Sequence, residues 1–142
     1  MPARDTFHKA VRTALERDGW TITADPYTLS YGQHKVYVDF AADRALAAEK
    51  QGEKIAVEIK GFLGPSEVHE LELAVGQYMF YRSIMSRTEP DRRLYLAVPD
   101  DAYAGIFSEK IAEPVLTDTK ISLFTFDPIK EIIVQWIPQL PK

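Results

Sequence analysis

The spacing of apolar residues predicts a chain in which helices and strands alternate. An apolar stripe of helical period predicts a first helix over residues 4–17, which ends at Asp18-Gly19. Alternating or β-forming residues then predict strands over residues 20–23 and 35–40. The chain therefore opens with one helix and then turns to strands.

The next stretch predicts a hairpin with one charged face. Residues 45–49 and 54–60 flank Gln51-Gly52, and a glycine there suits a two-residue turn because it can adopt a positive φ. Side chains alternate along the second strand, which sets Ile55, Val57 and Ile59 against Ala56, Glu58 and Lys60. One face of this strand is therefore apolar, and the other carries an acid and a lysine.

The second half of the chain predicts one long helix and several more strands. Ser66 suits a helix N-terminus, and apolar residues wind around one side of the helix predicted over 67–85. The other predicted elements are a buried strand over 93–98, a short helix over 100–107, and strands over 121–126 and 131–136. Because no repeat or linker interrupts this order, it predicts a single α/β domain over residues 1–142, with a mixed central sheet flanked by helices.

Composition and charge exclude several classes of protein. Hydrophobic residues make up 46% and charged residues 27% of the 142 residues, as is ordinary for a globular domain. The chain has no cysteine, which excludes disulfide scaffolds, thiolate zinc sites and cysteine nucleophiles. The net charge of −4 argues against a nucleic-acid coat protein, but not against an enzyme that meets DNA through a bound metal. Short apolar runs and the lack of a secretory signal predict a cytoplasmic protein with no membrane contact.

Three charged side chains near the predicted hairpin suggest a metal site. With the turn at Gln51-Gly52, paired positions sum to 103, so Asp43 faces Lys60 to within about one residue of register. Asp43, Glu58 and Lys60 then project from the same face. Two carboxylates can hold Mg²⁺ or Mn²⁺, and a lysine can orient the attacking water or stabilise developing charge. The arrangement is therefore suited to metal-assisted phosphodiester hydrolysis.

Other interpretations of these residues stay open. Asp39 is the rival acid, because it also precedes a strand. It lies four residues from Asp43, about 13 Å in an extended chain, so an unbroken strand would leave it too far from Glu58 unless a bulge intervened. Glu58 and Lys60 also suit a solvated ion pair on a half-exposed strand, and Asp43 suits a turn.

The spacing of these residues resembles the PD-(D/E)XK signature of restriction-endonuclease-like nucleases. Asp43 is followed fifteen residues later by Glu58-Ile59-Lys60, and the predicted element order is similar to that family's αβββαβ core. The resemblance implies a Mg²⁺- or Mn²⁺-dependent endodeoxyribonuclease, with an acid from the first helix, here Glu16. Ala42 stands where that family has proline.

The same resemblance implies two further residues on the second core helix. Some branches of that family place a Gln-x-x-x-Tyr pair there, and Gln77 and Tyr81 reproduce the spacing. Two structural alternatives remain: Glu16 suits an ion pair with Arg12, four residues earlier, and Tyr81 suits the core as well as it suits a partner for Gln77.

Five segments spread over most of the chain resemble the XisH family. They are residues 47–50 (AAEK), 53–60 (EKIAVEIK), 73–78 (LAVGQY), 93–99 (RLYLAVP) and 134–138 (VQWIP). Members of that family are cyanobacterial controlling factors for excision of the fdxN element. The resemblance implies a role in site-specific DNA rearrangement, alongside a recombinase and a XisI-like partner, without supplying a biochemical activity.

Two hypotheses follow, and both leave the oligomer open. The chain is either a metal-dependent nuclease that acts on DNA or a catalytically inactive accessory factor that binds a XisI-like partner or the recombination complex. A homodimer suits either, since no heptad or symmetric signal selects an oligomer. The densest basic patch suits contact with a DNA backbone as well as it suits neutralisation of nearby acids, and it consists of Arg82, Arg87, Arg92 and Arg93.

Overall fold

A six-stranded mixed sheet forms the centre of the protein, whose computed structural model describes residues 6–44 and 52–139. The helices are α1 (His8–Arg17), α2 (Glu67–Thr88), α3 (Asp100–Ala104) and α4 (Ala112–Thr119), with a 3₁₀ turn at Ile106–Ser108. The strands are β1 (Thr21–Ala24), β2 (Tyr27–Tyr31), β3 (His34–Val38), β4 (Phe40–Arg44), β5 (Glu53–Ile59), β6 (Arg93–Pro99), β7 (Leu123–Asp127) and β8 (Ile132–Ile137).

The strand order in the main sheet is β1-β4-β5-β6-β7-β8. Strands β1, β4 and β5 pair antiparallel, β5, β6 and β7 pair parallel, and β8 closes the sheet antiparallel to β7. Strands β2 and β3 form a separate hairpin. The order α1, β1, β4, β5, α2, β6 is therefore the predicted helix–strand–strand–strand–helix–strand order with this hairpin inserted, and the predicted α/β class with a mixed sheet is confirmed.

Each face of the sheet buries its own apolar cluster, because side chains alternate along every strand. One cluster joins Val11 and Leu15 of α1 to strand residues that include Ile55, Val57 and Ile59. The other cluster joins α2 to Ala56 and its neighbours on the adjacent strands. On β5, the residues at even positions therefore face α2, and these include Glu58.

Helix α2 covers the face that carries Glu58. It begins where predicted, because Ser66 caps it by accepting a hydrogen bond from the His69 backbone N–H at 3.2 Å. At mid-helix, the buried Tyr78 hydroxyl donates to Leu94 O at 2.9 Å and accepts from Ser122 N at 3.0 Å. These two hydrogen bonds fix the helix against the beginnings of β6 and β7.

The structure departs from the predicted elements in three places. The predicted strand over 35–40 is divided by a bend at Asp39, where the chain leaves the β2–β3 hairpin and enters the main sheet. Strand β2 and helix α4 were not predicted; α4 carries Pro114 in its first turn, where the missing N–H costs no hydrogen bond. The predicted strand over 45–49 lies outside the described residues.

Within the described ranges, no helix is both long and apolar enough to cross a membrane.

Candidate functional site

Two carboxylates, those of Asp39 and Glu58, lie opposite each other where β4 begins and β5 ends. The observed register pairs Phe40 with Val57, so Asp39, just before β4, comes level with Glu58, the next residue of β5. The Asp39 backbone N–H donates to Glu58 Oε1 at 3.3 Å, and Asp39 Oδ2 accepts from the Ile59 backbone N–H at 2.8 Å. The two strands therefore hold the two carboxyl groups against each other.

Burial dominates the electrostatics of Glu58. The residue is 8% exposed and lies under α2. Burial, followed by the negative charge of Asp39, raises the pKa of Glu58 to about 8. The positive charge of Lys60 and the hydrogen bond from the Asp39 backbone act in the opposite direction. Near neutral pH, Glu58 therefore tends to hold a proton unless a cation replaces it.

Lys60 follows Glu58 by two residues and shares its face of the sheet. Its backbone N–H donates to Ala97 O at 3.0 Å, which fixes the chain just beyond the end of β5. Its ammonium group is close enough to lower the pKa of Glu58. The described structure thus brings together Asp39, Glu58 and Lys60.

Helix α2 adds two polar side chains one turn apart on one side. Tyr81 has its pKa raised to about 12 by burial and then by the charges of Glu58 and Asp39, so its phenol lies near both carboxylates. Gln77 precedes it by four residues, and its Oε1 atom is buried with no hydrogen-bond partner among the described residues. An unsatisfied buried amide oxygen is unusual in a folded protein and marks a place where a ligand or water would be stabilised.

The predicted register of the hairpin is wrong, and this changes the position of Asp43. Asp43 pairs with Lys54 and not with Lys60. The last described pair of the two strands is Arg44 with Glu53, and the predicted turn residue Gln51 lies outside the described residues. Asp43 keeps the predicted face, but it lies four residues along the strand from the level of Glu58, about 13 Å away. There it makes a 3.0 Å ion pair with Arg92.

Glu16 is not brought to this group. Helix α1 packs against the opposite face of the sheet, and the Glu16 side chain is 53% exposed. Its carboxylate lies 3.9 Å from Arg12 Nε, in the i,i+4 ion pair that was the structural alternative.

The prominence of Asp39 could have been recognised from its immediate neighbours. It is the single charged residue of the run 36–42, which is otherwise made of valine, tyrosine, phenylalanine and alanine. An acid directly between two residues that become buried, here Val38 and Phe40, needs a partner or a function. The register inferred from an assumed turn at Gln51-Gly52 favoured Asp43 over Asp39 instead.

The donors present here fit a hard divalent cation that retains other ligands. Among residues 6–44 and 52–139, no three histidine or acidic side chains converge to hold a metal by themselves. Mg²⁺ commonly uses one or two carboxylates and completes its shell with waters and substrate phosphates. Asp39 and Glu58 supply that number of carboxylates, and the unsatisfied Gln77 oxygen lies on the helix that covers them.

Comparisons with known proteins agree on one family. The family model described as XisH protein matches residues 1–134. The chain is similar to the crystal structure of an XisH family protein from Nostoc punctiforme PCC 73102, with 40% identity and a TM-score of 0.84, over 93% of this chain and 98% of that one. It is also similar to that of a fdxN element excision controlling factor protein from Anabaena variabilis, with 41% identity and a TM-score of 0.84, over 94% of this chain and 99% of that one. No curated protein matches the chain.

Proposed function

Because this chain belongs to the XisH family, we propose that it is a controlling factor for excision of a DNA element and that it acts as a Mg²⁺- or Mn²⁺-dependent endodeoxyribonuclease. The observation that carries the nuclease proposal is the pair of facing carboxylates, the partly buried Asp39 and the buried Glu58, with Lys60 beside them. This trio is the acid and Glu-x-Lys set of the PD-(D/E)XK signature, with Asp39 in the place first given to Asp43.

Each residue has a distinct task in this proposal. Asp39 and Glu58 would hold the cation, which when bound would polarise the scissile phosphate and lower the pKa of a water. Glu58 would release its proton on binding the cation, whose charge would replace that of the proton. The Ile59 backbone N–H, through its hydrogen bond, keeps the Asp39 carboxylate turned towards the site.

Lys60 and the polar residues of α2 act on the substrate side. The Lys60 ammonium orients the attacking water and stabilises the charge that develops on the phosphoryl oxygens. Tyr81 lies on α2 near both carboxylates, and the Gln77 amide, one turn earlier, offers a hydrogen bond to a ligand. Helix α2 therefore limits the entry of bulk water to the two carboxylates.

The test of this proposal combines metal binding with DNA cleavage. Calorimetric titration of Mn²⁺ should give a binding heat with the wild type that Glu58→Gln loses. Lys60→Ala should lower cleavage of linear, supercoiled, single-stranded or branched DNA by at least about 100-fold while the domain stays folded. The matched control is Lys54→Ala, which removes a lysine from the same face of the same strand, opposite Asp43. Equal cleavage by the wild type and Lys60→Ala, or equal losses in both lysine variants, would overturn the proposal.

A second candidate function is that of an inactive accessory factor that binds a XisI-like partner. The observation that favours it is the small donor set, since no third acidic or histidine side chain joins Asp39 and Glu58 in the part of the chain that the structure describes. This candidate predicts no cleavage of any DNA and equal affinity of the wild type and Glu58→Gln for a XisI-like protein. Loss of partner binding in a folded Glu58→Gln variant would instead place the carboxylates inside the interface.

A further inference from the structure

A cavity of about 360 Å³ opens where β6 begins, at the end of the central strands opposite to the end that carries the carboxylates. It lies between the second half of α2 and the starts of β6 and β7. Arg93, on its wall, pairs with Ile55 of β5, which is three residues before Glu58, or about 10 Å along the strand. A ligand in this cavity is therefore separate from one held by Asp39 and Glu58.

The lining of the cavity is strongly cationic for a protein of net charge −4. Its charged residues are four cations and a single acid: Arg82, Arg92, Arg93, Lys120 and Asp91. Two serines, Ser86 and Ser122, add hydroxyl groups to the wall. A volume of this size falls in the range of pockets that hold small organic ligands.

Three of the cations have no carboxylate within ion-pair distance among the described residues. Arg82 donates to Lys120 O at 3.4 Å and to Met79 Sδ at 2.9 Å, and Arg93 donates weakly to the Tyr95 hydroxyl at 3.5 Å. Arg82, Arg93 and Lys120 thus retain most of their capacity to donate to an anion. Arg92 is engaged by Asp43 and Glu89, but its Nε atom is buried without a partner in the described structure.

Contacts within the protein fix the backbone that carries these cations. The Tyr78 hydroxyl ties the helix to β6 and to the entrance of β7, and the Arg82 guanidinium lies over the Tyr78 ring, 5.2 Å from its centre. Lys120 adopts a left-handed conformation, with φ of 52°, at the C-terminal cap of α4. These contacts fix the backbone on both sides of the opening before any ligand arrives, which lowers the entropic cost of binding.

We propose that this cavity binds the phosphate group of a nucleotide or of a nucleic-acid strand. Arginine forks and a lysine ammonium are the groups that proteins use for phosphate, because planar guanidinium groups match pairs of phosphoryl oxygens and carry fixed charge. The two sources share this chemistry. A phosphate held here is anchored at a distance from the carboxylates and is not the one that they would cleave.

The test is calorimetric titration without divalent cations, using inorganic phosphate, ADP and a short single-stranded oligodeoxynucleotide with a terminal phosphate. Lys120→Gly should weaken binding by roughly tenfold, because it removes one charged donor while glycine suits the left-handed backbone and keeps the fold. Arg82→Gln should weaken binding by a similar factor. Tightest binding of ADP would assign the cavity to a free nucleotide, and tightest binding of the oligonucleotide would assign it to a DNA strand; both outcomes support the proposal.

Two control variants make the test decisive. Arg87→Gln removes a charge from the same helix at a residue that does not line the cavity, so it should change affinity less than twofold. Glu58→Gln should leave affinity unchanged, which separates this proposal from the nuclease proposal. No binding of any of the three probes to the wild type, or an equal loss in Arg87→Gln and Lys120→Gly, would overturn the proposal.

Discussion

The two ends of the β4–β5 strand pair place the same kind of side chain in opposite electrostatic surroundings. Asp39 and Asp43 lie four residues apart on one face of the sheet. Asp39 lies against the buried carboxylate of Glu58, whereas Asp43 makes a 3.0 Å ion pair with Arg92. One end therefore concentrates negative charge, and the other end neutralises it.

The two ends also differ in what each acid contacts. At the Asp43 end, Arg92 also pairs with Glu89 at 3.0 Å and donates to the Ile55 carbonyl at 2.9 Å, so it connects the C-terminal cap of α2 to β4 and β5. At the Asp39 end, burial of Glu58 and then the charge of the partly buried Asp39 raise the pKa of Glu58, and stability falls once both acids are ionised. A bound cation would relieve the repulsion between the two acids at the Asp39 end, whereas Arg92 already neutralises Asp43 at the other end.

The largest expected effect is on DNA cleavage. Asp39→Asn should reduce metal-dependent cleavage by at least about 100-fold, because it removes one of two carboxylates from the cation, while the amide oxygen can still accept from the Ile59 N–H. Asp43→Asn should retain cleavage within about threefold of the wild type, since Asp43 lies some 13 Å along the strand from the level of Glu58. Initial rates on one DNA substrate measure both. If Asp43→Asn lost as much activity as Asp39→Asn, the two ends would not differ in function.

The next largest effect is on stability at the Asp43 end. Arg92 has an 8% exposed side chain. Arg92→Ala should therefore lower the free energy of unfolding by about 2–4 kcal/mol, because it leaves Asp43 and two carbonyl groups without this donor and Glu89 with the Tyr27 hydroxyl alone. Urea denaturation measures the change. The control, Arg87→Ala, removes an exposed arginine from the last turn of α2, five residues before Arg92, and should cost less than about 0.5 kcal/mol.

A smaller effect should appear as a pH dependence of stability at the Asp39 end. The pKa of Glu58 is raised in the folded state from 4.5 to about 8, so the native protein binds this proton more tightly than the unfolded chain does. The stability that it contributes is complete below about pH 4.5 and is lost as the pH rises through about 8. Without metal, the free energy of unfolding should fall by roughly 1–3 kcal/mol more for the wild type than for Glu58→Gln between pH 5 and pH 8.5.

Two further measurements sharpen the pH experiment. Asp39→Asn should move the loss of stability to lower pH, because the charge of Asp39 is the second cause of the raised pKa. Saturating Mn²⁺ should restore stability at pH 8.5 in the wild type only. A Glu58→Gln profile with the same slope as the wild type would assign the pH dependence to another group.

The smallest effect is expected for Asp43→Asn in urea denaturation. The Asp43 side chain is 40% exposed, and Arg92 keeps Glu89 and two carbonyl acceptors when the charge is lost. The cost should be about 0.5–1 kcal/mol. A loss above about 2 kcal/mol would show that Asp43 contributes more to the fold than its exposure allows.

Much of the fold was predictable because local patterns carry it. Helix α2 follows from Ser66 and an apolar helical period, and β6 follows from a continuous apolar run. The charged face of β5 follows from alternation alone. Strand β2 and helix α4 were missed, because β2 is paired with only one other strand and α4 carries a proline that the pattern associates with a break.

The partnership of Asp39 with Glu58 was not predictable in the same way. It depends on the register between β4 and β5, and a register inferred from an assumed turn at Gln51-Gly52 paired Asp43 with Lys60 instead. Register is determined by which side chains the whole sheet buries, so an assumption about one connection misplaces every pair along the strands.

The amino-acid sequence by itself determined the order of the core helices and strands, the mixed α/β class, the residues that share the charged face of β5, and the likeness to the XisH family. These properties depend on local propensity, on side-chain period and on short motifs, all of which lie along the chain. Only the tertiary structure decided which aspartate meets Glu58, which aspartate meets Arg92, and that Arg82 and Lys120 line one cavity. Those choices depend on strand register and on the packing of α2 across the sheet, because charge acts through space between residues that are far apart in the chain.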